Sequence, residues 1–198
     1  MAYNSTSWTT AANTKAGSTG TNTVGGVTLY KDFGLFDFSP VAGKHNPMIE
    51  LNAISAASAT TYGSNDIGAS GTDPATTVDV SDDTDNPRSL FASIWYIEDN
   101  ITIDSARVIV AADGSQAINF HVMSYDIDTS SNYGDLSGGT LLAHIGSSIS
   151  ATSSTVKTDT LTIDSSSVSS SKVIIAFAEA ETDTTDISCK MTIKYHLT

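Results

Sequence analysis

The sequence contains very little cysteine or proline: among its 198 residues there are four prolines and a single cysteine, Cys189. One cysteine excludes an internal disulfide framework and a cysteine-rich zinc site, so packed apolar side chains must stabilise the fold. We expect Cys189 to be a buried thiol, because free cysteine behaves as a small apolar residue. Serine and threonine exceed a quarter of the residues, a balance that suits strands and turns better than helices. The composition therefore predicts an all-β protein.

Positive charge is equally scarce. Lys and Arg together number 9 against 22 Asp and Glu, which leaves a formal net charge of −13. Such a charge repels nucleic-acid phosphates and anionic lipid headgroups, so we expect neither nucleic acid nor a membrane surface as a partner. The longest apolar run, Val173–Ala178, is far shorter than a bilayer span, and "MAYNSTSW" lacks the basic start and apolar stretch of a signal peptide. The sequence thus predicts synthesis in the cytoplasm without a Sec-type export signal.

Residues 1–26 have neither a helical nor a strand period and are small and polar apart from Tyr3 and Trp8. We interpret them as a flexible N-terminal arm that precedes a β-sandwich domain at residues 27–198. One alternative is a disordered terminus. The other is an arm that becomes ordered on a neighbouring subunit, with Trp8 as its main apolar contact and Tyr3 as a second one.

From Val27 onward, short β-rich segments recur between Gly, Asn, Asp and Ser residues, a pattern typical of a sandwich. The segment Cys189–Leu197 alternates most regularly, with its odd-numbered residues apolar. The segment Ser89–Ile97 is apolar on both faces and predicts a central strand or an interface strand. The stretch Ser55–Ser89 predicts one strand, "TTVDV", and a surface excursion. Roughly eight to ten strands in one domain favour a single jelly-roll-like antiparallel β-sandwich.

The segment Ile101–Asp128 predicts a hairpin. The apolar parity of its first half switches near Ser105, which indicates a β-bulge. Asp113-Gly114 then predicts a tight turn with φ > 0 between two paired strands. The parity of the return strand switches again near Ser124, so that Tyr125 would take over the inward face.

A partial calcium loop lies in "DIDTSSNYGD", where Asp126, Asp128 and Ser130 occupy the first, third and fifth positions. The match fails at Ser131, where the loop needs Gly, and at Ser137, where it needs a bidentate Glu. We therefore predict no cofactor here.

A second acidic stretch, "DVSDDTDNP", carries Asp79, Asp82, Asp83 and Asp85. We interpret it as a solvated loop, and calcium bound between sheets or subunits is the alternative.

The sequence predicts no enzyme. Its four histidines, His45, His121, His144 and His196, are scattered without metal-ligand spacing, and we expect most of them at the surface. There is no G-x-S-x-G elbow and no phosphate loop. Glu98, Asp99 and Asp104 would supply paired carboxylates for sugar hydrolysis, but any acidic β-protein offers such sets.

Aromatic residues in loops offer a binding function instead, because Trp and Tyr rings stack on sugars while Asp and Asn bond the hydroxyls. Tyr62 and Tyr133 are the candidates, each within a loop rich in Gly, Asn or Ser. The alternative is that both tyrosines pack within their turns.

The stretches "FASIWYIEDNITIDSARVIVAADG", Phe91–Gly114, and "NFHVMSYDID", Asn119–Asp128, resemble uncharacterised virion structural proteins of marine tailed bacteriophages. The resemblance covers the part of the chain that begins near Ser89 and includes no catalytic motif. It implies a virion component such as a capsid decoration protein, a short head fibre or a fibre tip, often a jelly roll that assembles as a homotrimer.

The absence of coiled-coil heptads and of β-helical repeats favours a compact protein over a fibre shaft. The expected function is a capsid decoration (cement) or short head-fibre protein, made in the host cytoplasm and bound to the major capsid protein or another virion protein. One alternative is a receptor-recognition domain of a tail fibre that binds a host surface glycan. The other is a secreted sugar-binding module.

Overall fold

The computed structural model describes residues 28–40, 42–50, 73–79, 92–127, 135–181 and 185–198. These residues form fourteen β-strands and no α-helix. The strands are β1 (Leu29–Phe38), β2 (His45–Pro47), β3 (Ile49–Glu50), β4 (Val78–Asp79), β5 (Trp95–Tyr96), β6 (Ile101–Ala112), β7 (Gln116–Ile127), β8 (Asp135–His144), β9 (Ile149–Ala151), β10 (Lys157–Thr160), β11 (Thr162–Ile163), β12 (Ser167–Val168), β13 (Lys172–Ala180) and β14 (Ile187–Leu197). The all-β prediction is confirmed, and β4 lies inside the predicted "TTVDV" strand.

The strands form two antiparallel sheets that pack face to face. Sheet A has the order β10-β6-β14-β1-β3, with β12 paired to one end of β6. Sheet B has the order β11-β8-β7-β13-β2, with β4 paired to β8, β5 to β13 and β9 to β7. The predicted β-sandwich is therefore confirmed.

The main core lies between the sheets and is built by strict alternation. On β14, Cys189, Met191 and Ile193 are buried, whereas Lys190 between them is exposed, as the sequence period predicts. They pack in one cluster with side chains of sheet B such as Phe120 of β7. Each large apolar side chain that is fully buried contributes about 1.5–3 kcal/mol to folding. The predicted burial of Cys189 is confirmed.

Sheet B also carries a second apolar cluster on its outer face. Its members are Val78, Met123, Tyr125, Leu136, Val173, Ile175 and Phe177. Segment 73–79 covers part of this face: the Tyr125 hydroxyl donates to the Ala75 carbonyl at 3.0 Å, and the Gly139 amide donates to the Thr76 carbonyl at 2.9 Å. Sheet B is therefore buried on both faces, and the continuously buried strand is β13.

Of the two alternatives for Ser89–Ile97, the central strand is wrong for the described residues 92–97, and the interface strand stays a prediction. Within this segment, the described strand is the two-residue β5, which pairs with one edge of β13 beside β2. The two covered faces do exist, since Trp95 packs against the main core and Ile94 against the outer cluster. An apolar pattern on both faces therefore shows that a segment is covered on both sides, but it does not show that the segment is a central strand. The strand that is buried on both faces within sheet B is β13.

The predicted hairpin at Asp113-Gly114 is also wrong. Strand β6 belongs to sheet A and β7 to sheet B, so the dipeptide connects the two sheets. Among the described glycines, positive φ occurs at Gly43 and Gly138, and Gly114 is not one of them. The connection is fixed by sequence-distant contacts instead, since the Asp113 amide donates to the Asp186 carbonyl at 3.0 Å.

The β-bulge near Ser105 is confirmed. Lys194 of β14 pairs with Ser105 and Tyr195 pairs with Ile103, so Asp104 is the extra residue on β6.

The predicted switch near Ser124 is wrong. Strand β7 pairs with β13 without a register shift from Ile118 to Asp126, and its irregular pairing is with β8. Tyr125 therefore stays on the outer face of sheet B and joins the outer cluster there.

Candidate functional site

The predicted binding residues Tyr3, Trp8, Tyr62 and Tyr133 lie outside the described residues. The same holds for most of the two calcium candidates, namely Asp82, Asp83, Asp85, Asp128, Ser130 and Ser131. Asp126 is described, and its Oδ1 atom forms an ion pair with Lys172 Nζ at 2.6 Å. No group of three His, Cys, Asp or Glu side chains in the described part of the chain is arranged to hold a metal ion.

The carboxylates considered for sugar hydrolysis are all exposed. Glu98 and Asp99 lie between β5 and β6, and Asp104 is the bulge residue of β6. Asp104 Oδ1 contacts His196 Nδ1 at 2.9 Å, so this carboxylate has a structural partner.

The outer face of sheet A is open across the strands β10, β6, β14 and β1. We call it the cationic face. Its residues are Tyr30, Asp32, Gly34, Phe36, Arg107, Ile109, Thr158, Thr160, Lys190, Thr192 and Lys194. Strand register brings them together, because alternate residues of each strand point to the same side of the sheet.

Positive charge predominates on the cationic face. Lys190 Nζ lies 3.0 Å from Asp32 Oδ2, and the Thr192 hydroxyl donates to Asp32 Oδ1 at 2.6 Å, so this carboxylate is already bound. Asp104, which contacts His196 on the same side of the sheet, is a second carboxylate at the edge of the face and is bound as well. Arg107 and Lys194 make no ion pair with any described residue. A chain of net charge −13 thus presents three Lys or Arg side chains and two bound carboxylates on this side of sheet A.

The cationic face also exposes large apolar side chains. Tyr30 is 63% exposed, Phe36 56% and Ile109 49%. Gly34, which pairs with Lys190 in the middle of the face, adds no side chain. Cations combined with exposed apolar groups on a flat sheet are typical of a surface that binds another protein.

One end of the sandwich is closed by an aromatic cluster. The rings of Trp95 and Tyr195 are 4.9 Å apart at 61°, and Lys31 Nζ lies 5.4 Å from the Trp95 ring centre. Lys31 also forms an ion pair with Glu50. Both rings are half-buried, and burial raises the pKa of Tyr195. The cluster combines aromatic faces with a charged pair at the molecular surface.

The expectation that most histidines lie at the surface is wrong for His45 and His121. Both are buried on the outer face of sheet B, with ring centres 4.9 Å apart. His45 Nε2 lies 3.7 Å from an oxygen of the fully buried Glu179. His144 of β8 pairs directly with His121 of β7 in the strand register. Four ionisable groups from β2, β13, β7 and β8 therefore converge in one part of this face, which we call the histidine cluster.

The environment of His121 keeps its imidazole neutral. Burial above all, together with the neighbouring His45 and His144, lowers the pKa of His121 to about 4, against a smaller opposing effect of Asp164. The Nδ1 atom of His121 has no hydrogen-bond partner among the described residues. His144, by contrast, is half-buried and contacts Asp164 Oδ2 through Nδ1 at 2.6 Å.

Sequence reasoning missed both the cationic face and the histidine cluster, because each depends on which strands become neighbours.

A helix able to cross a bilayer does not occur in the described part of the chain. Comparison of the chain with protein-family models gave no match, and comparison with curated proteins gave none either.

Proposed function

We propose that this chain is a bacteriophage virion structural protein, a capsid decoration or short head-fibre protein with a jelly-roll-like head. The observation that carries the proposal is the contrast between the sheets. Sheet B is covered on both faces, whereas the cationic face of sheet A is open and exposes large apolar side chains. A rigid sandwich with one open protein-binding face suits a component that assembles in many copies on a larger particle.

Attachment to the particle is assigned to residues 1–26. Strand β1 begins at Leu29, so the polar segment leads directly into the first strand of sheet A. A segment of that composition buries too little apolar surface to fold alone and becomes ordered only against a partner, here the major capsid protein or another virion protein. Burial of Trp8 would contribute on the order of 2–3 kcal/mol before ordering costs, with Tyr3 as a second contact.

The experiment is addition of purified protein to capsids that lack it. The full chain, a truncation that begins at Val27, Trp8→Ala and the control Thr9→Ala are compared by cosedimentation. We expect the full chain and Thr9→Ala to bind, the truncation to remain in solution and Trp8→Ala to bind more weakly. If the truncation decorates shells as well as the full chain, attachment lies on the sandwich and the arm proposal is wrong.

A second candidate function is recognition of a host surface glycan by a tail-fibre domain, and a secreted sugar-binding module would use the same chemistry. The aromatic cluster favours it, because half-buried rings beside a Lys–Glu pair can stack on a sugar and bond its hydroxyls. The test is retention on immobilised host glycans. Trp95→Leu should abolish retention, while Tyr96→Ala, an exposed residue of the same strand, should not. Capsid binding without glycan retention would eliminate this candidate.

A further inference from the structure

We propose that the cationic face binds the acidic end of a second copy of this chain. The acidic end consists of Asp37, Asp113, Glu181 and Asp186. The proposal goes beyond the function proposed above, because it concerns the isolated protein and requires no virion.

The acidic end is built by the fold at one end of the sandwich. Phe38, Ile187 and Ala112 form the last paired row of sheet A there. Asp113 and Asp186 lie just beyond this row, and Asp37 lies one residue before it, at the irregular end of β1.

Glu181 joins them from sheet B, because it follows β13 directly and its amide donates to the Ala117 carbonyl at 3.0 Å. Asp37, Asp113 and Glu181 are exposed, and Asp186 is half-buried.

These four carboxylates make no ion pair with any described residue. Two of them accept hydrogen bonds from hydroxyl groups, since Ser39 donates to Asp186 and Ser148 donates to Glu181. Within the described part of the chain, the negative charge of the acidic end is therefore not balanced by an ion pair.

The two patches are complementary in sign. Among the described residues, Arg107 and Lys194 on the cationic face form no ion pair, and neither do the carboxylates of the acidic end. With a net charge of −13, two copies repel one another at most orientations. Contact between the cationic face and the acidic end replaces that repulsion by attraction, and it selects one orientation.

Apolar burial supports the same contact. Ile109 pairs beside Lys190 in the middle of the face and is half-exposed, so an approaching copy would cover it together with the stems of the cationic side chains. A contact between two different patches generates rings when the rotation closes, and the predicted homotrimer is such a ring.

The test uses the full chain alone, in solution, with light scattering and sedimentation. One double variant reverses the face (Arg107→Glu with Lys194→Glu), and a second reverses the acidic end (Asp113→Lys with Glu181→Lys). We expect the wild type to self-associate and each double variant to be monomeric, with an apparent Kd raised at least about tenfold. An equimolar mixture of the two double variants should associate again, because each restores the charge complement of the other.

Matched controls come from β10, whose residues are exposed at the edge of sheet A. Lys157→Glu and Asp159→Lys change charge by the same amount per residue but lie off the two patches, and both should self-associate like the wild type. Circular dichroism confirms that each variant keeps its β-structure. A monomeric wild type, a face variant that associates normally, or a mixture that stays monomeric would overturn the proposal.

Discussion

At the scale of single residues, His121 makes the stability of the fold depend on pH. Its pKa is about 4 in the folded protein, because burial disfavours the imidazolium, whereas the unfolded chain has the ordinary value of 6.5. Between these values the unfolded chain binds more protons than the folded one, so the free energy of unfolding falls as the pH falls. The loss begins near pH 6.5, is complete near pH 4 and amounts to about 3 kcal/mol.

Replacement of His121 by a residue that does not titrate should remove this dependence. Between pH 6.5 and pH 4 the free energy of unfolding should fall in both proteins. We expect the fall to be smaller in His121→Asn than in the wild type, by up to about 3 kcal/mol. The measurement is urea unfolding at several pH values across that interval. His196→Asn is the control, because His196 is half-buried. This variant keeps His121, so its free energy of unfolding should still fall between pH 6.5 and pH 4 by the amount that His121 contributes. An unchanged pH slope in His121→Asn would contradict the assignment.

Cys189 is a residue whose reactivity the fold suppresses. Burial raises the pKa of its thiol to about 12, so almost no thiolate exists near neutral pH. We expect the native protein to react with thiol reagents only as fast as it unfolds. The control is Ser188→Cys in a Cys189→Ala background, since position 188 is exposed on the opposite face of β14. Equal labelling rates for the two native proteins would show that residue 189 is accessible.

At the scale of elements, local sequence predicted what depends on neighbours along the chain. The alternation of β14 and the bulge at Ser105 followed from apolar parity alone. The role of Asp113-Gly114 did not, because the short connection from Ala112 to Gln116 can join strands of one sheet or of two. Tyr125 was assigned to the wrong face for a related reason: a strand buried on both sides has no polar face to mark its parity.

The attachment of segment 73–79 to sheet B depends on Gly139. A Cβ atom at this position would lie 2.7 Å from Thr76 Cα and 2.8 Å from Tyr125 Cε1, and the backbone contact cannot relax cheaply. We expect Gly139→Ala to lower the free energy of unfolding by about 1–3 kcal/mol. Gly146→Ala is the matched control, because its nearest contact would be Thr162 Oγ1 at 4.0 Å, and it should stay within about 0.5 kcal/mol of the wild type. Chemical denaturation compares the two, and equal stabilities would refute the clash.

At the scale of the whole molecule, the sequence supplied the class of fold but not the surface. The net charge of −13 predicted which partners to exclude, yet it concealed that Arg107, Lys190 and Lys194 share one side of sheet A. That grouping needs the order β10-β6-β14-β1, which joins strands far apart in the chain. The predicted contacts Trp8 and Tyr62 lie outside the described residues, so their roles stay predictions.

Burial of sheet B on both faces also sets the order in which backbone amides become accessible to water. Strand β13 is bonded to β7 along its whole length and is covered above and below, so its amides should exchange hydrogen for deuterium only through global unfolding. Strand β10 is exposed throughout and pairs on one side with β6, so its amides should exchange through local fraying. Deuterium uptake measured by mass spectrometry should therefore differ by orders of magnitude between peptides covering residues 172–180 and 157–160. Comparable uptake in both would mean that the sandwich opens as one unit, with sheet B no more persistent than the edge of sheet A.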